Sequence, residues 1–362
     1  MHGKWEATIR TGNWLRLGNE PFRAAALALA LISGPAMSQP IADYGILDWS
    51  DLDGWSEDDH RAVLDVFLET CPNLEVQEWS SVCALAAGTP GDAKTFFEIL
   101  FRPVLITNGV PALFTGYFEP ELEGSRERTE TFRFPIYRLP PEIPLNEQWF
   151  TRGEIERGQL LADRGLEIAW LADPVDVFFL QVQGSGRIRL TDGEAIRVGF
   201  GGSNRHEYRS VGAELVRRGT FEDHQVSAAV IRNWVRRNPQ EGAELLRHNP
   251  SFIFFREVNE VPSDRGPLGA MNRSITTLRS VAVDPEFVPL GAPVWIEKDG
   301  RSPMRQLMVA QDTGSAVKGP QRADIFFGTG AAAGQRAGLV RDPGRMVVLL
   351  PINLAFQLAP EG

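Results

Sequence analysis

Two aspartates carry the first chemical signal. Asp312 and Asp324 lie in the stretch AQDTGSAVKGPQRADIFFG (310–328), which is otherwise mostly small, apolar or glycine-rich. A carboxyl group pressed into such surroundings loses hydration, which disfavours its charged form and raises its pKa. A carboxylic acid that keeps its proton near neutral pH can donate it to a leaving oxygen, the first requirement of glycoside cleavage. The same residues have a plainer reading, in which their side-chain oxygens cap turns. Residue types alone leave both open.

Other chemistries find less support. The HEYRS segment (206–210) has Ser210 where a zinc peptidase would need its second histidine, and no G-x-S-x-G elbow occurs. The acidic run DGEAIRVGFGG lacks the spacing of a calcium loop. ADIFFGTGAAAGQRAG followed by MVVLLP imitates a strand–glycine turn–helix–strand nucleotide unit, but its spacing is G-x-G-x-x-x-G, and Asp342 precedes the next strand instead of closing it. Neither a nucleotide, a metal nor another cofactor is expected.

The elements that must position the aspartates read as short strands. RSVAVDP, APVWIE, QLMVAQD, ADIFF and RMVVLLP follow one another closely, giving an all-β C-terminal unit of about 95 residues. Upstream, 56–71 and 91–106 show helical spacing of apolar residues, the first capped by Ser56 or Asp58. ALFTGYFEP opens a strand-like region, and DVFFLQVQGSGRIRL (176–190) reads as two strands about a Gly-Ser-Gly turn. Residues 207–250 return to helix. The arginines of VIRNWVRRNP (230–239) read as the solvated face of a helix that ends at Asn-Pro.

The chain has 362 residues, 43% hydrophobic and 23% charged, enough for about two domains. Residues 1–38 read as an export signal. Lys4, Arg10, Arg16 and Arg23 precede the short apolar run AAALALALISGPA, with small residues before Gln39; an uncleaved anchor is the alternative. No later segment has 18 uninterrupted apolar residues, so the exported chain is expected to be soluble. Without the signal the chain carries 33 basic and 45 acidic residues, a net charge of −12, which disfavours nucleic acid as a partner. Export places Cys71 and Cys83 in an oxidising compartment, where a structural disulfide is expected; closing so short a loop contributes about 3 kcal/mol.

FTGYFEPELEGS (114–125), FFLQVQGSGRIRL (178–190), RSVAVDPEFVPLGAPVWIE (279–297) and VAQDTGSAVKGPQRADIFFGTG (309–330) together resemble the membrane-bound lytic murein transglycosylase A family, from about residue 75 to the end. The resemblance implies a mainly β, α+β fold. A double-psi β-barrel (39–118 and 262–362) would carry an inserted smaller β-domain (119–261), with a substrate cleft between them. The C-terminal part matches the family's 3D domain, whose three aspartates fall on Asp284, Asp312 and Asp324. By the same resemblance Asp324 is the catalytic acid and base, Asp312 a nearby second carboxylate, and Asp284 structural. Thr115, Gly116 and Tyr117 fall on a groove-lining motif, and Gln183, Gly184 and Ser185 on a turn that contacts the glycan.

The implied reaction cleaves the β-1,4 bond between N-acetylmuramic acid and N-acetylglucosamine in peptidoglycan and leaves a 1,6-anhydromuramoyl end. A true hydrolase and a non-catalytic glycan-binding module are the competing readings. Glycan strands are the expected partner, with wall-remodelling proteins besides, for a monomer in the periplasm, either soluble or associated with the outer membrane. Lipid-anchored family members carry a cysteine at the cleavage site, whereas no cysteine lies near Gln39. Arg205 and His206 also stand where the family pattern has a glycine-containing turn.

Overall fold

The structure, a computed structural model, describes residues 42–74, 76–88, 91–144 and 146–359. The expected export signal and its cleavage site lie outside them. No helix among the described residues is long and apolar enough to cross a membrane.

Fifteen strands and ten α-helices alternate along the described chain: β1 (Asp43–Ile46), α1 (His60–Thr70), α2 (Gln77–Ala87), α3 (Ala93–Leu100), β2 (Phe101–Thr107), β3 (Leu113–Glu119), β4 (Glu121–Ser125), β5 (Phe134–Tyr137), α4 (Arg152–Arg157), β6 (Glu167–Leu171), α5 (Pro174–Gln183), β7 (Gly186–Leu190), β8 (Ala195–Ser203), α6 (Val211–Arg217), α7 (Ala228–Arg237), α8 (Pro239–His248), β9 (Ile253–Glu257), β10 (Ser280–Val283), β11 (Pro293–Lys298), β12 (Met304–Thr313), β13 (Arg322–Thr329), α9 (Ala331–Ala337), β14 (Arg341–Asp342), β15 (Gly344–Pro351) and α10 (Ile352–Leu358). The fold is α+β with two sheets.

The larger sheet runs β1-β2-β15-β11-β12-β10-β13-β3-β14 and curls into a nearly closed barrel. Strand β14 pairs with β3 at one edge, and after Pro343 the same chain continues as β15 in the interior of the sheet. That continuity brings the edge back to the middle and leaves a ring of β15, β11, β12, β10, β13 and β3. Its two parallel pairs, β10 with β12 and β13 with β3, sit among antiparallel neighbours. Trp295, Phe67, Phe97 and Phe101 are fully buried in a core that the barrel shares with α1, α2 and α3. Cys71 and Cys83 are joined by a disulfide beside this core.

The smaller sheet, β5-β6-β4-β7-β8-β9, is formed within residues 121–257. One face packs on α5 through Leu180 and Val177. Helix α5 in turn buries Val175, Phe178 and Phe179 against α6, α7 and α8.

Five sequence expectations change, the first being the helical reading of 91–106, of which 101–106 lies in strand β2 (Phe101–Thr107). The first half of DVFFLQVQGSGRIRL is helix α5, not a strand. Asp173 caps it by accepting from the Val175 amide at 2.9 Å, Pro174 occupies its first turn, and Gly184 ends it in the left-handed conformation at φ 77°. These end signals outweigh the strand-like string of apolar residues. Helix α1 is capped by Asp59, whereas Asp58 pairs with Arg279 at 2.9 Å and accepts from the Leu307 amide on β12. The C-terminal strands do not form a separate all-β unit, because β2 and β3 complete their sheet and α9 and α10 interrupt them. Two arginines of the 230–239 segment are not simply solvated. Arg232 lies over the Phe179 ring at 4.3 Å, and Arg236 pairs with Asp173 at 2.6 Å. Where a glycine turn was expected, Arg205 adopts φ 62°, a left-handed conformation that glycine takes without strain.

Candidate active site

Sheet register brings the two aspartates together. On β10, Ala282 pairs with Asp312 of β12 on one side and with Asp324 of β13 on the other. Asp324 pairs onward with Thr115 of β3. Paired residues of adjacent strands share a face, so Asp312, Ala282, Asp324 and Thr115 form one row across four strands. Strand spacing puts the two aspartate backbones about 10 Å apart. The methyl group of Ala282 leaves the space between the carboxyls open.

Asp312 and Asp324 are differently equipped. Asp312 Oδ1 accepts the amides of Ala270 at 3.0 Å and Thr313 at 2.9 Å, and its Oδ2 accepts the Tyr117 hydroxyl at 2.8 Å. Asp324 Oδ1 accepts the Thr115 hydroxyl at 2.7 Å, and no protein donor among the described residues reaches its Oδ2. Both side chains keep a partly exposed edge. Burial is the main influence on each: it pushes the Asp312 carboxyl up to about 6 against the pull of its three donors, and the negative charge of Asp324 adds to the rise. Burial likewise pushes Asp324 up, opposed by the Thr115 hydroxyl and by the positive charge of Arg322. The negative charge of Asp324 acts on Asp312, whereas desolvation is the main cause of the rise at Asp324. Three donors around Asp312 suit a charged acceptor, while a free oxygen on Asp324 suits a proton.

Thr115 and Tyr117 face the aspartates because alternate residues of a strand share a side. Burial pushes the Tyr117 hydroxyl well above its ordinary range, so it remains a donor. Gly116 points the other way, towards α9. A Cβ there would sit 2.7 Å from the Ala337 Cα and 2.9 Å from Phe327. Gln183, the last residue of α5, accepts the Phe118 amide at 3.0 Å through Oε1, tying that helix to the strand that carries Thr115 and Tyr117. Gly184 is its left-handed cap, and Ser185 is buried at the start of the chain into β7.

Asp284 stands apart from the row. It is buried, caps the turn after β10 by accepting from the Glu286 amide, and accepts the Gly319 amide at 2.8 Å. It thereby fastens the loop that separates Asp312 from Asp324. Arg322 was not singled out from the sequence. Its guanidinium donates to Thr115 Oγ1 at 2.9 Å, completing a relay from Arg322 through Thr115 to Asp324. The signal was present as R-A-D on a strand, since residues two apart share a face. Among the described residues no group of three or more His, Cys, Asp or Glu side chains is placed to hold a metal ion.

Comparison with known proteins gives this geometry a setting. Residues 113–256 match the MltA specific insert domain and residues 279–350 match the 3D domain. The chain is 36% identical over 288 residues to the membrane-bound lytic murein transglycosylase A of Escherichia coli K12, covering 76% of this chain and 74% of the relative. The crystal structure of a membrane-bound lytic murein transglycosylase from Agrobacterium tumefaciens superposes with a TM-score of 0.79 at 31% identity, covering 87% of this chain and 99% of that one. A structure of E. coli MltA with bound chitohexaose superposes with a TM-score of 0.69 at 28% identity, covering 87% and 95%.

Proposed function

The chain belongs to the membrane-bound lytic murein transglycosylase A family, and we propose that Asp324 is the acid and base with which it cleaves peptidoglycan. The protein is an enzyme, a lytic transglycosylase that breaks the β-1,4 bond between N-acetylmuramic acid and N-acetylglucosamine. The observation that carries the assignment of Asp324 is its half-satisfied carboxyl. One oxygen is held by Thr115 and no protein donor among the described residues reaches the other, while burial raises both carboxyls, Asp324 and Asp312 alike.

With the glycan in the cleft, protonated Asp324 gives its proton to the glycosidic oxygen as the C1–O bond breaks. The resulting carboxylate then takes the proton of the muramoyl 6-hydroxyl as that oxygen bonds to C1. The proton count returns to its starting value, and the product carries a 1,6-anhydro ring. Because the nucleophile is tethered to the reacting sugar, its effective concentration is high, and one acid/base suffices where hydrolases use a pair flanking the bond. In its ionised form Asp312, held by Tyr117 and two backbone amides and pushed up to about 6 by burial, stabilises positive charge developing at C1. Glycan contacts are assigned to Thr115, Tyr117 and Gln183, with Gly116, Gly184 and Ser185 shaping the backbone around them. No cofactor is required by these steps.

We read the chain as two domains, a barrel of 39–118 and 262–362 and an insertion of 119–261, a division that the two separate sheets support. The relative solved with chitohexaose supports a glycan as the ligand. The relatives' membrane-bound names support a place in the cell envelope, here as an exported periplasmic monomer that meets glycan strands and wall-remodelling proteins. Purified sacculi incubated with the protein and no added metal should yield anhydro-muropeptides. Asp324→Asn should reduce the rate by about 10³-fold, within the range of a lost general acid, while leaving sedimentation with sacculi intact. Full activity in that variant would remove Asp324 from this role.

A further inference from the structure

A second site lies away from the aspartates, in the inserted region. Helices α4, α5, α7 and α8 and strands β5 and β6 surround a cavity of about 1100 Å³, roomy beside the roughly 300–1,000 Å³ of small-molecule sites. Its deep wall includes Arg152, buried and gripped between the Phe178 and Phe252 rings at 5.0 and 5.1 Å. Arg152 donates to Gln181 Oε1 at 2.5 Å and to the Ser251 carbonyl at 2.7 Å, while its buried Nε has no hydrogen-bond partner among the described residues. A nearby loop is strained. Gln159 and Asp163 line the cavity at φ 50° and 57°, left-handed values that side chains avoid unless the surroundings impose them.

The charges around the cavity divide into satisfied and unsatisfied. Arg236 is paired with Asp173, and Arg247 with Glu156. Arg128 and Arg133 line the cavity with no ion pair among the described residues, and both are exposed. On the same lining, the carboxylates of Asp163 and Glu167 also lack an ion pair among the described residues. Trp170 supplies a partly exposed aromatic surface. Two cations and two anions without ion pairs among the described residues, Arg133 lying over the Phe134 ring at 5.7 Å, complement a ligand that carries both carboxylate and ammonium groups. A bare glycan strand offers only the lactyl carboxylates of its muramic acid residues and no ammonium.

We propose that this cavity binds the peptide portion of the wall, an acidic zwitterionic peptide whose carboxylates meet Arg128 and Arg133 and whose ammonium faces Asp163 and Glu167. The inference rests on peptidoglycan being the substrate. Geometry supports the pairing of peptide site and cleavage site. Helix α5 reaches from the cavity, at Pro174, Val177 and Phe178, to Gln183 beside the catalytic strand, a span of about 15 Å. An extended peptide of four or five residues covers roughly 14–18 Å, comparable with the length of that helix.

Calorimetric titration of the full chain with the soluble tripeptide L-Ala-γ-D-Glu-meso-diaminopimelate tests this directly. Saturable binding is expected, weakened about tenfold or more in R128A/R133A, since each lost exposed ion pair is worth up to about 1 kcal/mol. Both side chains are exposed, so the double variant should fold. In digestion, the double variant should show a raised KM on peptide-bearing strands and an unchanged KM on strands stripped of peptide by an amidase. Absence of saturable binding, or equal affinity in the double variant, overturns the peptide site even if bare strands are still cleaved. Peptide binding by a chain that cleaves neither substrate would leave the cavity standing and refute the transglycosylase reading instead.

Discussion

At the scale of single residues, the proposed site is two carboxyls with different hydrogen-bond partners, three donors at Asp312 and one at Asp324. Asp312 has a folded-state pKa near 6, above its ordinary value of 3.8. The unfolded chain therefore releases this proton first as pH rises, so the group costs stability progressively between about pH 4 and pH 6, by on the order of 3 kcal/mol, and no further above that. Asp312→Asn should accordingly raise the melting temperature at pH 7.5 and leave it nearly unchanged at pH 4, while lowering activity; thermal unfolding at the two pH values checks the sign. Activity itself should fall as pH rises through the pKa of Asp324, because only the protonated acid starts the reaction. Both aspartates were visible in the sequence, since carboxyls among apolar and glycine residues are conspicuous. Which of them holds the proton was not visible. That depends on Tyr117 and Thr115, some 200 positions away in the chain, and on Arg322, whose meaning emerges only when β13 lies beside β3.

At the scale of elements, local end signals decided what apolar content could not. The segment 174–183 is rich in residues that suit strands, yet the Asp-Pro start and left-handed Gly184 make it a helix. The consequence is functional, because a helix lets one side chain at its C-terminal end, Gln183, hold the backbone of β3. Strand β3 is also held from behind by α9, which comes close enough that only glycine fits at 116. Gly116→Ala should push α9 away and cost roughly 1–3 kcal/mol, and because Thr115 and Tyr117 flank it, kcat should fall with stability. Denaturant unfolding and turnover on sacculi measure the two together. An unaltered protein would show that the close approach carries no weight. The disulfide was legible from spacing and compartment alone, and Cys71→Ser with Cys83→Ser should lower stability by about 3 kcal/mol with the site chemistry intact.

At the scale of the molecule, the barrel and the smaller sheet are tied where the chain crosses between them. Glu119, fully buried at the end of β3, pairs with Arg187 of β7 at 3.0 Å and Arg197 of β8 at 2.8 Å, and accepts the Thr329 hydroxyl of β13 at 2.8 Å. The two arginines also donate to the carbonyls of Pro262 and Arg265 on the returning chain. Glu119→Gln leaves buried Arg197 without its counter-ion, a loss of about 3 kcal/mol or more. Partial proteolysis should then begin near 258–266, and KM should rise more than kcat falls. Contacts of this range have no local signature. The five C-terminal strands could be read one by one, but their union with β2 and β3 is set by side-chain packing and register over more than 150 residues. Only the resemblance of separated motifs supplied it beforehand.

The central claim is that the sugar's own hydroxyl, and not water, closes the reaction that Asp324 opens. Digestion of sacculi in ¹⁸O-labelled water followed by mass spectrometry tests it most directly. Unlabelled anhydromuramoyl products are expected from the native chain and none from Asp324→Asn. Reducing ends carrying the heavy isotope would contradict it.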